Sequence, residues 1–104
     1  MIKVSVFYPQ GGGSTLFDMN YYLNKHLPMV QQKLGKACKS ITVEQGLTGA
    51  TPDALPSFLV ITQMTFDTMQ AFQAAFAPHA AAIAADTINY TKIVPILQVS
   101  EVRK

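Results

Sequence analysis

Apolar and polar residues alternate from Ile2 to Tyr8, with Ile2, Val4, Val6 and Tyr8 on one side and Lys3, Ser5 and Phe7 on the other. This period of two predicts a strand. Pro9-Gln10-Gly11-Gly12-Gly13-Ser14 predicts a loop, because three glycines lose too much backbone freedom to start a helix. A three-to-four-residue rhythm follows: Met19, Leu23, Leu27, Val30 and Leu34 make the apolar stripe of a first helix, with Asp18 as N-cap and Gly35 as C-cap. Ile41 to Leu47 predicts a second strand, and Thr48 to Ser57, which holds Gly49, Pro52 and Pro56, a loop. Phe58 to Phe66 predicts a third strand, apolar on both faces: Phe58, Val60 and Met64 against Leu59 and Ile61. Asp67 opens a second helix, since Asp67-Thr68-Met69-Gln70 has capping-box spacing, and Met69, Phe72 and Phe76 face the core. Pro78 stops this helix or begins a new turn carrying His79 and Ile83. Asp86 to Tyr90 turns the chain into a last strand, Thr91 to Val102, where Pro95 predicts an edge position or a bulge.

The resulting order, β-α-β-β-α-β, predicts one ferredoxin-like α+β sandwich over residues 1–104, with two helices on one face of a four-stranded sheet. Strands one, three and four carry apolar residues on both faces, yet the helices cover only one. A second copy of the sheet is the simplest cover, so the chain is expected to form a homodimer with facing sheets.

Composition sharpens this. Charged residues make up only 13% of the chain, which leaves a surface poor in polar cover and favours burial against another subunit. A net charge of +2 argues for no nucleic-acid partner, and Lys33, Lys36 and Lys39 form only a thin basic strip about a helix end. Cys38 is the only cysteine, so no intramolecular disulfide and no thiolate zinc site can form; it reads as a small core residue rather than a nucleophile. The amino terminus lacks the form of a signal peptide, and the apolar tract from Ala74 to Ala85 is too short and too interrupted for a bilayer. No membrane partner and a cytoplasmic location are expected. The glycine run is not followed by Gly-Lys-Ser/Thr, no dinucleotide fingerprint follows a strand, and no haem-attachment motif occurs, so no cofactor is expected.

The chemistry concentrates on the first helix. A spacing of four sets Tyr22 and His26 side by side, at the margin of the apolar stripe. Pro28 lacks an N–H and crowds the carbonyl of Asn24, which predicts a bend or break between Asn24 and Pro28. Imidazole titrates near neutral pH and suits general acid/base work. A purely structural histidine donating to a carbonyl freed by Pro28 is the competing reading. Tyr22 suits either aromatic packing or a substrate hydrogen bond. Tyr21 points the other way, toward solvent or a partner subunit. Asp86 is a turn or cap residue, or else the carboxylate that fixes the His26 tautomer. His79 is placed on an exposed helix start. His26, His79 and Asp86 have no short ligand spacing, so no metal site is expected.

Tyr8-Pro9, Phe17-Asp18, Tyr21-Tyr22, Lys25-His26 and Pro28, followed by Asp86, Asn89-Tyr90-Thr91 and Pro95, resemble the EthD family of small dimeric α/β-barrel proteins. The resemblance spans nearly the whole chain and implies the dimeric barrel. It links the chain to an alkyl ether degradation system and, through related barrels, to cofactor-free isomerases, cyclases, dehydratases and monooxygenases of aromatic or lactone compounds. Fold alone does not decide chemistry. Two functions are therefore expected. One is a cofactor-independent enzyme, an isomerase, dehydratase or oxidoreductase, acting on a small apolar ligand with His26 and Asp86 as catalytic residues and Tyr22 and Tyr90 as substrate-binding ones. The other is a non-catalytic small-molecule binding or accessory protein of an oxidation system; a pocket in which Tyr22 and His26 bond only to backbone would favour it.

Overall fold

The computed structural model describes residues 1–11 and 16–104, so Gly12, Gly13 and Ser14 of the expected glycine loop lie outside the described residues. Strands β1 (Ile2–Pro9), β2 (Ser40–Gln45), β3 (Phe58–Phe66) and β4 (Ile96–Glu101) form one antiparallel sheet in the order β2-β3-β1-β4. With its two helical connections this is the ferredoxin-like α+β arrangement expected from the sequence. β1 lies inside the sheet, pairing Val4 with Met64 on one side and Val99 on the other.

The alternation in β1 and β3 sets the two faces. Val4, Tyr8, Val60, Met64 and Phe66 point toward the helices and pack with Leu27, Val30, Leu34 and Phe72 in one core. Burying each of these side chains stabilises the fold by about 1.5–3 kcal/mol. On the opposite face the register aligns Ile61, Phe7 and Ile96 in one row across three strands. Ile96 is 53% exposed there.

The first helical unit is α1 (Met19–Tyr21), a π-helical turn (Tyr22–His26) and α2 (Leu27–Leu34). The Asp18 carboxylate accepts from the Tyr21 N–H at 3.0 Å, and Gly35 ends the unit with φ +63°, as expected of these caps. The irregularity expected at Pro28 is present in another form. The chain stays helical, and the Leu27 N–H donates to the Tyr22 carbonyl five residues back. The wider turn lays Tyr22 over both His26 and Leu27 and carries Leu23 outward. Leu23 is therefore exposed rather than part of the stripe, while Tyr22 and His26 are buried within the core rather than at its margin.

The second unit runs through α3 (Met69–Phe76), a 3₁₀ turn holding Pro78 and His79, α4 (Ala80–Ala85) and a 3₁₀ turn over Asp86–Asn89. Its cap is Thr68, whose hydroxyl accepts from the Ala71 N–H at 3.0 Å, so the capping box from Asp67 does not form. Met69 is largely exposed, leaving Phe72, packed 5.1 Å from Phe66, and the half-buried Phe76 to face the core. The last strand is shorter than Thr91 to Val102. Thr91 forms only an isolated bridge to Phe17, its hydroxyl bonding the Leu16 carbonyl, and Pro95 stands just before β4, which is an edge strand. No helix is long and apolar enough to cross a membrane among the described residues.

Candidate functional site

His26 is 4% exposed and belongs to the π-turn, which aims its ring at the last 3₁₀ turn. There its Nδ1 meets Asp86 Oδ2 at 2.8 Å. The other carboxylate oxygen, Oδ1, accepts from the Tyr21 hydroxyl and from the Asn89 side-chain amide, each at 2.8 Å. Asn89 reaches it because residues three apart in a helical turn are neighbours. Partial desolvation pushes the Asp86 carboxyl up, but the hydrogen bonds from Asn89, His26 and Tyr21 outweigh it and hold the carboxyl below its ordinary range. An ionised Asp86 only accepts, so the proton of the neutral imidazole resides on Nδ1 and leaves a lone pair on Nε2.

Nε2 lies on the side of Tyr90, whose hydroxyl is 3.4 Å away. Tyr90 in turn meets the Tyr8 hydroxyl at 2.8 Å. The His26 ring stacks on Tyr22 at 5.3 Å and leans on Tyr90 at 4.6 Å, so its orientation is fixed by packing as well as by Asp86. Tyr22 turns its hydroxyl away to Thr62 on β3, at 2.6 Å. Burial pushes the phenols of Tyr8, Tyr22 and Tyr90 above their ordinary range, which keeps all three neutral.

These side chains border a cavity of about 500 Å³ between the sheet and the helices. Val6, Leu27, Met64, Phe72 and Ile83 give it apolar walls; Tyr8, Tyr90 and His26 form one polar corner. The volume falls within the usual range for a small-molecule site.

All four expected site residues thus come together. His26 and Asp86 are in direct contact, and the rings of Tyr22 and Tyr90 pack on the imidazole. Tyr21 departs from the expectation, since its hydroxyl bonds Asp86 instead of facing solvent or a partner. Tyr8, Thr62 and Asn89 were not anticipated as site residues; the Asp86-to-Asn89 spacing was their one local signal. His79 is half-buried and stands apart, and among the described residues no group of three His, Cys, Asp or Glu side chains is placed to hold a metal. Cys38 is half-buried, and desolvation raises its thiol.

The family model for the EthD domain matches residues 14–92. The chain belongs to the EthD family. It is 45% identical to an EthD-like protein from Ralstonia eutropha JMP134, covering 99% of this chain and 92% of that one, with a TM-score of 0.92. An EthD family protein from Bacillus halodurans C-125 superposes with a TM-score of 0.72 at 20% identity, over 98% of both chains. Beyond the EthD proteins, SnoaB of Streptomyces nogalater, a cofactor-independent oxygenase, shares the fold with a TM-score of 0.60 at 12% identity, over 99% of this chain and 92% of that one. No curated protein sequence matches the chain.

Proposed function

We propose that this EthD-family chain is a cofactor-independent enzyme acting on a small, largely apolar metabolite (aromatic, lactone or ether-derived), with His26 as its acid/base. One observation carries this: Asp86 holds Nδ1 while Nε2 faces the apolar cavity, beside a tyrosine at only 3.4 Å. That is a base with a fixed tautomer and an available lone pair. When Nε2 takes a proton, the adjacent carboxylate stabilises the imidazolium. Tyr22 and Tyr90 shape the substrate side of the ring. Cofactor-free routes to isomerisation, dehydration and oxidation exist that begin with such a proton transfer. The side-chain partners of Tyr22 and His26 favour this reading over a binding protein, for which backbone partners were the expected sign.

The proposal includes a homodimer with facing sheets. Its support is the Ile61–Phe7–Ile96 row, which the chain's own helices leave uncovered.

The experiment is a panel of small aromatics, lactones and ethers, first tested for binding by NMR, then incubated with wild type and His26→Gln. At least one binder should be converted by wild type and recovered intact from the variant, which keeps hydrogen bonding but cannot shuttle a proton near neutral pH. Binders that all survive wild type unchanged, or equal conversion by the variant, would overturn acid/base catalysis at His26.

A further inference from the structure

Resting on the base role of His26, we infer that the cavity takes an enolisable carbonyl compound, whose oxygen binds the Tyr90 hydroxyl while His26 Nε2 removes the proton from the adjacent carbon. The hydrogen bonds in the polar corner have a direction that satisfies Nε2. Asp86 only accepts, so Nδ1–H donates to it and Nε2 is an acceptor. Tyr90 can then donate to Nε2, and Tyr8 to the Tyr90 oxygen. The reverse assignment would leave Nε2 without a donor among the described residues, since the one hydroxyl hydrogen of Tyr90 would then go to Tyr8. Along this chain Tyr90 is the last donor and Nε2 the last acceptor. Their mutual contact of 3.4 Å is long for an O–H···N bond, so a ligand can replace it.

At this corner a ligand meets a donor and an acceptor 3.4 Å apart, in a cavity that is otherwise mostly apolar, with Thr62, Thr87, Thr91 and Lys92 among its lining. A carbonyl oxygen and its α-carbon are separated by about 2.4 Å, from standard bond lengths. With the oxygen about 2.8 Å from Tyr90 and the α-carbon about 3.2 Å from Nε2, both contacts are made when the donor lies toward the carbonyl plane and Nε2 above it, where the breaking C–H bond aligns with the π system. A hydroxyl ligand fits less well. Its single oxygen would have to serve both groups at about 2.8 Å, an angle of about 75°, well under the tetrahedral value.

The step balances without a co-reactant. The α C–H bond breaks, its proton goes to Nε2, and its electron pair moves through the new C=C bond onto the oxygen as an enolate. Tyr90 donates to that oxygen, and Tyr8, by donating to Tyr90, strengthens the donor. Return of a proton to carbon regenerates the ketone, or delivery to another carbon gives its isomer.

2-Tetralone in deuterium oxide tests this, with loss of its α-proton signals followed by NMR. Wild type should accelerate the exchange above buffer, His26→Gln should return it to the buffer rate, and Tyr90→Phe should lower it by roughly 10²–10³-fold, as for loss of an oxyanion donor. Exchange lost in the glutamine variant but unchanged in Tyr90→Phe would keep the base and overturn the carbonyl seat. A wild type that converts another panel compound through His26 yet leaves 2-tetralone unexchanged would overturn the carbonyl class alone. Exchange equally fast in wild type and His26→Gln would overturn both readings. Should Tyr90→Phe fail to fold, wild-type binding decides: 2-tetralone should bind more tightly than 2-naphthol or tetralin, and equal affinities would overturn the proposal.

Discussion

Tyr21 donates its hydroxyl hydrogen to Asp86 Oδ1 at 2.8 Å, on the oxygen that His26 does not use. Its ring stacks on the cavity-lining Tyr90 at 6.3 Å and makes no bond to the imidazole, so the role of the hydroxyl is to position the carboxylate. Tyr21→Phe should lower turnover by roughly 2- to 10-fold, far less than loss of the base itself. Because the hydroxyl helps hold the Asp86 carboxyl down, its removal lets that carboxyl rise. The stability lost on acidification should therefore go at a higher pH in Tyr21→Phe than in wild type, with the melting temperature at neutrality near that of wild type. An unshifted loss would show that Tyr21 only packs.

Asp86 links the site to stability. Its carboxyl is depressed in the folded state, below an unfolded value of about 3.9. Such a group contributes stability that is complete above the unfolded value and is lost as pH falls through the folded one. Denaturation of wild type and Asp86→Asn should therefore differ most near neutrality and converge at acid pH. A gap that widens on acidification would contradict the depressed carboxyl.

The Tyr22–Thr62 bond is buried at both ends, with 2% and 1% exposure. Removing either partner takes a hydrogen bond from a buried hydroxyl, which costs about 1–3 kcal/mol. Removing both should cost less than the sum of the single losses, by about 0.5 kcal/mol or more in a double-mutant cycle. Strict additivity would mean that the two hydroxyls are satisfied independently.

For the dimer, the decisive position is Ile61, which faces away from the helices between Phe7 and Glu44. Wild type should scatter light with twice the chain mass at micromolar concentration, and Ile61→Glu should reduce that mass or aggregate. A stable wild-type monomer would defeat the pairing of sheets.

Period-two and period-3.6 patterns made the fold legible, because a face buried against helices must be apolar at every second strand residue. The strand from Phe58 to Phe66 and the caps at Asp18 and Gly35 followed from such local rules. What escaped was decided by tertiary contacts. Thr91 has strand-forming chemistry, but its hydroxyl is engaged by the Leu16 carbonyl and it never enters the ladder. Leu23 has the right spacing for the core, yet the π-turn changes the spacing itself. The same turn hid Tyr21, whose side chain on an ideal helix would point away from Asp86. Spacing placed Tyr22 beside His26, and the chemistry of a carboxylate with an imidazole suggested Asp86 as partner, whereas the Tyr90 contact had no signal besides the family resemblance, since nothing local joins residues about sixty apart.

The π-turn also determines what kind of error the site tolerates. It holds one residue more than an α-helical turn, and that residue is counted, not recognised. Leu23 is nearly half exposed, so replacing it removes little contact. Deleting it is tolerated for another reason: the turn would close to ordinary helix, and because four residues then complete the turn that five complete now, what precedes it keeps its direction relative to α2. Tyr21 would keep its line to Asp86, and the Asp18 cap its place. The helix therefore tolerates a one-residue change of length between Tyr22 and Leu27, a tolerance that a scan of substitutions would pass over.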